Sequence, residues 1–506
     1  MAIMSEKINV IFIITDQHRA DHLSCVGNPI LKTPNLDKLA SEGVRFTSAY
    51  VANPICMPNR ASIFTGLYPN MHGLRTAGMN LPKTTPTFTE TLRENGYHTI
   101  EIGKIHLNWS IRPFDKNVKS NESGRNWITK DDRPQLPLPY YGFDEVDLLV
   151  GHGDIIGGTH YMDWLEEKGP EYIPIIRKKA KIFFGKMSYR TEIPENLYST
   201  TYINERTITF LEKYAKGENG DKPFFLNVSY PDPHHPVCPP GKYFDMYKAE
   251  DIELPANFND IENVKEHKFL KPLLNIPFFR GMVLRITNEK EARDYIAATY
   301  GSIAMLDDGI GQILTTLKRL NLADDTIVIY TSDHGDLMGD HGMILKGPCP
   351  YNGILNVPLI WKVPGIKPAI TDSLASSIDI SKTILNLLKI PEKKQPPDMQ
   401  GVDLTSVLED PSKKVRDHCL VEHDEEIEMF KIKIRLRHLI TDDYKLTIYN
   451  GLKSYGDLFD RKNDPDEMNN LWLDKKYQNL RHELMEQLFY VNLNAQSRYP
   501  KREAMS

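Results

Sequence analysis

Three widely separated apolar runs in this chain each end in a polar cluster, and that repeated pattern limits the fold more than any other feature. Ile8–Ile14 runs into Thr15, Asp16 and Gln17. Lys222–Tyr230 (KPFFLNVSY) runs into PDPHHP, with His234 and His235, and Asp325–Ser332 runs into Asp333 and His334. A strand apolar at nearly every position is one covered on both faces, as in a largely parallel sheet flanked by helices. Open α/β sheets take their ligands at the carboxyl ends of their strands. Three such ends bearing Asp and His predict one polar crevice at the edge of an α/β sheet.

Helical patterns fall between these runs. Pro34–Gly43 (PNLDKLASEG) has Pro near its start and Gly at its end. Thr87–Asn95 and Tyr300–Leu317 are further helices, with Asp307 and Asp308 structural, and Ser376–Leu388 is an amphipathic helix closing the larger domain. From about Asp410 the alternating stretches KIKIRLRHLIT and DYKLTIYN predict a small antiparallel sheet, followed by a helix near Tyr477–Tyr490. The 506 residues exceed one ordinary core, and the pattern divides them into residues 1–409 and a smaller α+β unit, 410–506.

A formal net charge of −6 argues against a general nucleic-acid binder, so an anionic substrate needs a local basic pocket. The basic run Arg177, Lys178, Lys179 and Lys181 reads as a solvated face. Mean hydropathy is −0.43, and no stretch approaches the roughly 18 apolar residues of a membrane span. The N-terminal apolar run is short for a signal peptide and reads as a buried strand. Five scattered cysteines, Cys25, Cys56, Cys238, Cys349 and Cys419, imply no disulfide framework. A cytoplasmic protein, bound to neither membrane nor nucleic acid, is the expectation.

Cys56–Gly66 (CMPNRASIFTG) sets a thiol two residues before Pro58 and four before Arg60, then enters a helix-compatible run. A lone cysteine is ordinarily a small buried hydrophobe. Its flanks make it more: CxPxR, then AS, two apolar residues and TG, resembles the signature of type I sulfatases of the alkaline phosphatase superfamily. Asn59 stands where that family more often has Ser. The resemblance implies that Cys56 is oxidised to formylglycine by a formylglycine-generating enzyme, its hydrate being the nucleophile. A sulfate ester wears its negative charge on peripheral oxygens, so an activated nucleophile and charge neutralisation are both required. Arg60 beside that group and the helix N-terminus would both favour an anion.

Further segments extend the likeness from about Ile8 to Trp472. GYHTIEIGKIH resembles the family's GYxTxxxGKxH, which implies a sulfate-binding Lys104 and a nucleophile-contacting His106. The PHxP turn implies His234 as sulfate ligand or proton donor. His235, the next residue, points elsewhere if the strand continues. Lys346, ahead of NVPLIW, stands where members carry a second sulfate-binding lysine; His341 is a weaker candidate, stabilising its loop. Asp16 and Gln17 at the first strand end, with Cys56, Asp333 and His334, match the metal site. The usual tandem acids are here Asp–Gln, which leaves one charge fewer. Calcium is the metal the resemblance implies, with manganese or zinc left open by the His334 nitrogen.

The implied fold is the alkaline-phosphatase-like mixed central sheet flanked by helices, with a C-terminal α+β subdomain. The implied function is hydrolysis of an alkyl, aryl or sugar sulfate. A phosphonate monoester or phosphodiester hydrolase is the alternative, with Asn80 resembling a substrate-contacting position there, and a non-catalytic binding scaffold is a third reading. Substrate choice falls to the insertions at about 108–205 and Pro240–Asn288.

Overall fold

The computed structural model describes residues 7–110, 120–123, 136–157, 159–179, 186–427 and 431–495. Strand β1 (Asn9–Thr15, NVIFIIT) is buried at every position. Its even-numbered residues Val10, Phe12 and Ile14 enter one apolar layer, while Ile11 and Ile13 enter the layer on the opposite face. It therefore occupies the centre of a sheet, between β5 (Phe224–Ser229) and β6 (Thr326–Ser332), parallel to both.

Among the described residues this sheet has eight strands. The others are β2 (Val44–Phe46), β3 (His98–Gly103), β4 (Glu145–Leu148), β7 (Leu359–Lys362) and β8 (Ala369–Thr371). Their order is β8-β2-β7-β6-β1-β5-β3-β4. Strand β7 runs antiparallel to both neighbours and every other pairing is parallel, which makes the sheet mixed. Register brings four carboxyl ends level: Thr15 opposite Ser332, Ile14 opposite Ser229, and Gly103 opposite Ser229. Gly103 is required there, since at φ +117° a Cβ would meet Ser229 O at 1.9 Å.

One face carries α2 (Cys56–Thr65) and α5 (Asp379–Leu387); the other carries α1 (Pro34–Ser41), α3 (Ser199–Ala215) and α4 (Glu289–Arg319). Helix α4 starts eleven residues before the expected Tyr300, because the Asn288 side chain caps it by accepting from Glu291 N (2.9 Å). Asp307 is structural as expected: its carboxylate accepts from the amides of Asn35 (3.1 Å) and Leu36 (2.7 Å) at the start of α1.

The C-terminal residues form a separate antiparallel sheet, β9 (Cys419–Ile427), β10 (Ile432–Ile440), β11 (Tyr444–Tyr449) and β12 (Gly456–Asp460), in that order. Leu420, Leu439, Leu446 and Leu458 pack on Leu484 and Leu488 of α6 (Gln478–Asn494). Strand β9 also docks on the approach to α2: Glu422 N donates to Ala52 O (2.9 Å) and Asn53 Nδ2 to Glu422 O (2.6 Å). Among the described residues no helix is long and apolar enough to cross a membrane.

Candidate active site

The level strand ends deliver the polar groups to one place. Cys56 is the first residue of α2, whose opening amides have no side-chain cap. Beneath it lies Arg60, fully buried, whose Nε and Nη1 donors are taken up by the surrounding strand ends. Nε donates to Asp333 Oδ2 (2.7 Å) and Nη1 to Lys104 O (2.5 Å) and Ser229 Oγ (2.8 Å), while Nη2 lies 3.9 Å from Asp16 Oδ2. Arg60 thus ties three strand ends together, a wider task than holding the nucleophile. Asn59, the departure from the usual signature, is likewise an organiser: Oδ1 accepts from Ala52 N (3.0 Å) and Ser377 Oγ (2.6 Å), and Nδ2 donates to Asp333 O (2.6 Å).

Asp16, Asp333 and His334 place ligand atoms within 4.8 Å of one another, all buried. Among the described residues Asp16 Oδ1 has no hydrogen-bond partner, the state expected of a carboxylate oxygen meant for a cation. His334 Nδ1 donates to Gly335 O (2.8 Å), which turns Nε2 toward Asp16 Oδ1 at 3.2 Å. This donor set fits a divalent cation. The Gln17 side chain is tied to other groups: Nε2 donates to Asp336 Oδ2 (2.5 Å) and Tyr295 Oη (3.1 Å), and Oε1 faces His235 Nδ1 at 3.1 Å.

Basic groups face these acids. Lys104 Nζ donates to Asp16 Oδ2 and to His152 Nε2 (2.6 Å). Lys346 Nζ donates to His334 Nε2 (2.5 Å). Burial would raise the Asp16 pKa, but Lys104 and His234 outweigh it and hold the carboxyl well below the usual range. Burial would likewise raise the Cys56 thiol; Lys346, Lys104 and His106 overcome it and hold that pKa well below the ordinary value. An anion formed at position 56 is thus stabilised by the same cations that would receive a sulfate.

His234 Nδ1 donates to His235 O (2.5 Å), and its ring stacks on His235 at 4.1 Å. The condition for His235 to point away is not met: β5 ends at Ser229 and the chain turns, so strand alternation no longer applies and His235 Nδ1 faces Gln17 Oε1. His341 holds its loop by pairing with Asp260 (2.7 Å) and stacking on Tyr351. Asn80 is exposed and accepts from Trp109 N (3.0 Å). Arg177 and Lys178 are exposed, as a solvated face requires, and Lys181 lies outside the described residues. Sequence reasoning missed His152, on a two-residue strand, Gly151–His152, paired with Ile155–Ile156. The available signal was a histidine between two glycines, Gly151 and Gly153, both at positive φ.

A mixed α/β sheet with Cys56 at the start of a helix, a buried acid–histidine trio at level strand ends and two lysines facing it, Lys104 after β3 and Lys346 in the segment between β6 and β7, defines a hydrolase of the alkaline phosphatase superfamily. The chain belongs to the sulfatase family, the sulfuric ester hydrolases: the sulfatase family pattern matches residues 8–390, and the C-terminal pattern of N-sulphoglucosamine sulphohydrolase matches residues 339–494. It is 30% identical over 483 residues to an arylsulfatase of Clostridium perfringens, covering 93% of this chain and 91% of that one. It is 27% identical over 544 residues to an N-acetylglucosamine-6-O-sulfatase of Bacteroides thetaiotaomicron, covering 96% and 86%. Among solved structures it resembles the phosphonate monoester hydrolase of Agrobacterium radiobacter, with 25% identity, a TM-score of 0.79, and 98% and 97% of the two chains covered.

Proposed function

We propose that this protein hydrolyses a sulfate monoester, of an aryl alcohol or a sugar, to alcohol and sulfate, with the nucleophile made from Cys56. The observation that carries the reading is the convergence of Lys104, Lys346 and His106 on Cys56, opposite the Asp16, Asp333 and His334 trio. Oxidation of Cys56 to formylglycine, whose hydrate attacks sulfur, would supply the nucleophile, and a formylglycine-generating enzyme is the partner in maturation. A divalent cation, calcium first and manganese or zinc by virtue of the His334 nitrogen, would be held by Asp16, Asp333 and His334 and supply charge neutralisation.

The chain's own groups do the rest. Lys104 and Lys346 hold the peripheral oxygens of the ester, lowering repulsion against the nucleophile. His106, whose Nδ1 is buried without a hydrogen-bond partner among the described residues, takes and returns the proton at position 56. His234, its Nδ1–H donated to His235 O, must take a second proton at Nε2 to protonate the departing oxygen, against burial and the neighbouring His152, His235 and Lys346, which hold its pKa well below the ordinary value. Arg60 and Asn59 keep Asp333 in place. The glucosamine-type sulfatase among the relatives favours a saccharide sulfate, and the phosphonate hydrolase likeness keeps a phosphonate monoester as the second reading.

The test is the mass of the tryptic peptide Phe46–Arg60 from protein expressed beside a formylglycine-generating enzyme, followed by rates on nitrophenyl sulfate, N-acetylglucosamine 6-sulfate and a nitrophenyl phosphonate. Loss of the thiol sulfur with preference for a sulfate is expected. An unmodified thiol with no turnover, or preference for the phosphonate, would refute the reading.

A further inference from the structure

The hairpin that carries His152 lies where the sequence shows no motif, yet it is firmly seated. Gly153, at φ +54°, lies so close to the neighbouring turn that a Cβ would meet Pro236 O at 2.6 Å and Cys238 Sγ at 2.7 Å. Asp154, 1% exposed, accepts from Tyr189 Oη (2.5 Å) and Thr191 Oγ1 (2.7 Å). The backbone closes the same loop, with Tyr189 N donating to Val237 O (3.1 Å) and Val237 N to Met187 O (2.8 Å). Hairpin and His234 turn are therefore one packed unit.

That unit delivers the His152 imidazole between two groups of the proposed reaction. Its Nε2 accepts from Lys104 Nζ at 2.6 Å, and its ring lies over the His234 ring at 3.7 Å between centroids and 15° between planes. A lysine ammonium on a flexible stem has no direction of its own. It has three donors; with two committed to Asp16 and His152, the third is left one direction in which to meet an anion. A ring clamped against a seated hairpin likewise keeps its Nε2 aimed in one direction.

We propose that His152 is a positioning residue of the hydrolysis, aiming the Lys104 ammonium through Nε2 and fixing the plane of the His234 ring by stacking. The proposal rests on the roles given above to Lys104 and His234. It makes the two halves of one side chain separable: a glutamine keeps an acceptor near the Nε2 position without the ring, and a phenylalanine keeps the ring without the acceptor.

The experiment uses full-length, matured, metal-loaded protein carrying His152→Gln, His152→Phe or His152→Ala. It reads inhibition by inorganic sulfate and the dependence of kcat/KM on leaving-group pKa across a series of aryl sulfates. His152→Phe should weaken sulfate inhibition about ten-fold and leave the leaving-group dependence as in wild type. His152→Gln should hold sulfate inhibition within about two-fold, yet lose about ten-fold more rate on the poorest leaving group than on the best. His152→Ala should show both defects. Equal losses on every substrate with sulfate inhibition unchanged, or no loss at all, overturn the proposal. If wild type prefers phosphonate monoesters, the sulfate reading falls while the same series on aryl phosphonates, with inorganic phosphate as inhibitor, still decides the role of His152.

Discussion

Replacing Asn59 by alanine tests whether the Cys56 helix and the proposed cation site are one mechanical unit. Asn59 is fully buried and makes three hydrogen bonds, to Ala52 N, Ser377 Oγ and Asp333 O. After truncation Ala52 N still has Ser377 Oγ at 2.9 Å as an acceptor. The Asp333 carbonyl and the Ser377 hydroxyl proton lose their partner. At about 1–3 kcal/mol for each buried group left unpaired, the cost is about 2–6 kcal/mol. Unfolding entropy scales with length, so for a chain of 506 residues each kcal/mol lowers Tm by roughly 1 °C. A fall of about 2–6 °C is expected in scans at one fixed rate. Asn59→Ser should melt like the alanine variant, since the shorter side chain does not span to Asp333 O. Metal retention should weaken in both variants because Asp333 loses its tether. A melting temperature within 1 °C of wild type, with metal content unchanged, would refute the reasoning.

Three further outcomes are expected. Cys56→Ala should abolish turnover while its melting curve overlays that of the unmodified wild type; retained activity would remove the nucleophile assignment. Chelation should inactivate the enzyme and lower Tm, with about 2.7 kcal/mol regained at a hundred-fold excess over Kd, and the ion that restores both at the lowest concentration identifies the metal; unchanged Tm and activity would sink the site. Glu101 is fully buried, and burial pushes its pKa up to about 8 from 4.5 despite its bond from Asn227 Nδ2. Between those values the folded state holds a proton that the unfolded state has lost, so stability falls as pH rises, by at most about 1.4 kcal/mol per unit. Glu101→Gln removes that slope. Its Tm should gain on wild type steadily from pH 5 to pH 8 and stay parallel above; a difference independent of pH refutes the assignment.

The fold was legible in the sequence where strands were long and apolar on both faces. Ile8–Ile14, Lys222–Tyr230 and Asp325–Ser332 all form central strands, and the structure brings Asp16, Asp333, His334 and His234 together at their ends. Lys104 and His106, two apart after β3, both reach the site because Gly103 lets the strand end pass against Ser229. What stayed hidden depends on tertiary partners. The hairpin strands at His152 have two residues each, too few to show a period. His235 turns inward because its chain has left the strand. The partners of Gln17, Tyr295 and Asp336, lie 278 and 319 residues away, and no local pattern encodes such a contact.

The docking of β9 on the segment before Cys56 has a consequence in time. In the folded chain Cys56 is 7% exposed and every residue of its helix is buried, so an enzyme that oxidises the thiol needs that segment before it closes. Two of the hydrogen bonds that close it, through Ala52 O and Asn53 Nδ2, are made by Glu422. Roughly 370 residues are synthesised between the cysteine and that strand, about 20–70 s of translation at ~5–20 residues per second. Under the maturation proposed above, the late-made sheet would set the window for oxidation: until it emerges from the ribosome the segment lacks those two bonds, and once it docks they help close it.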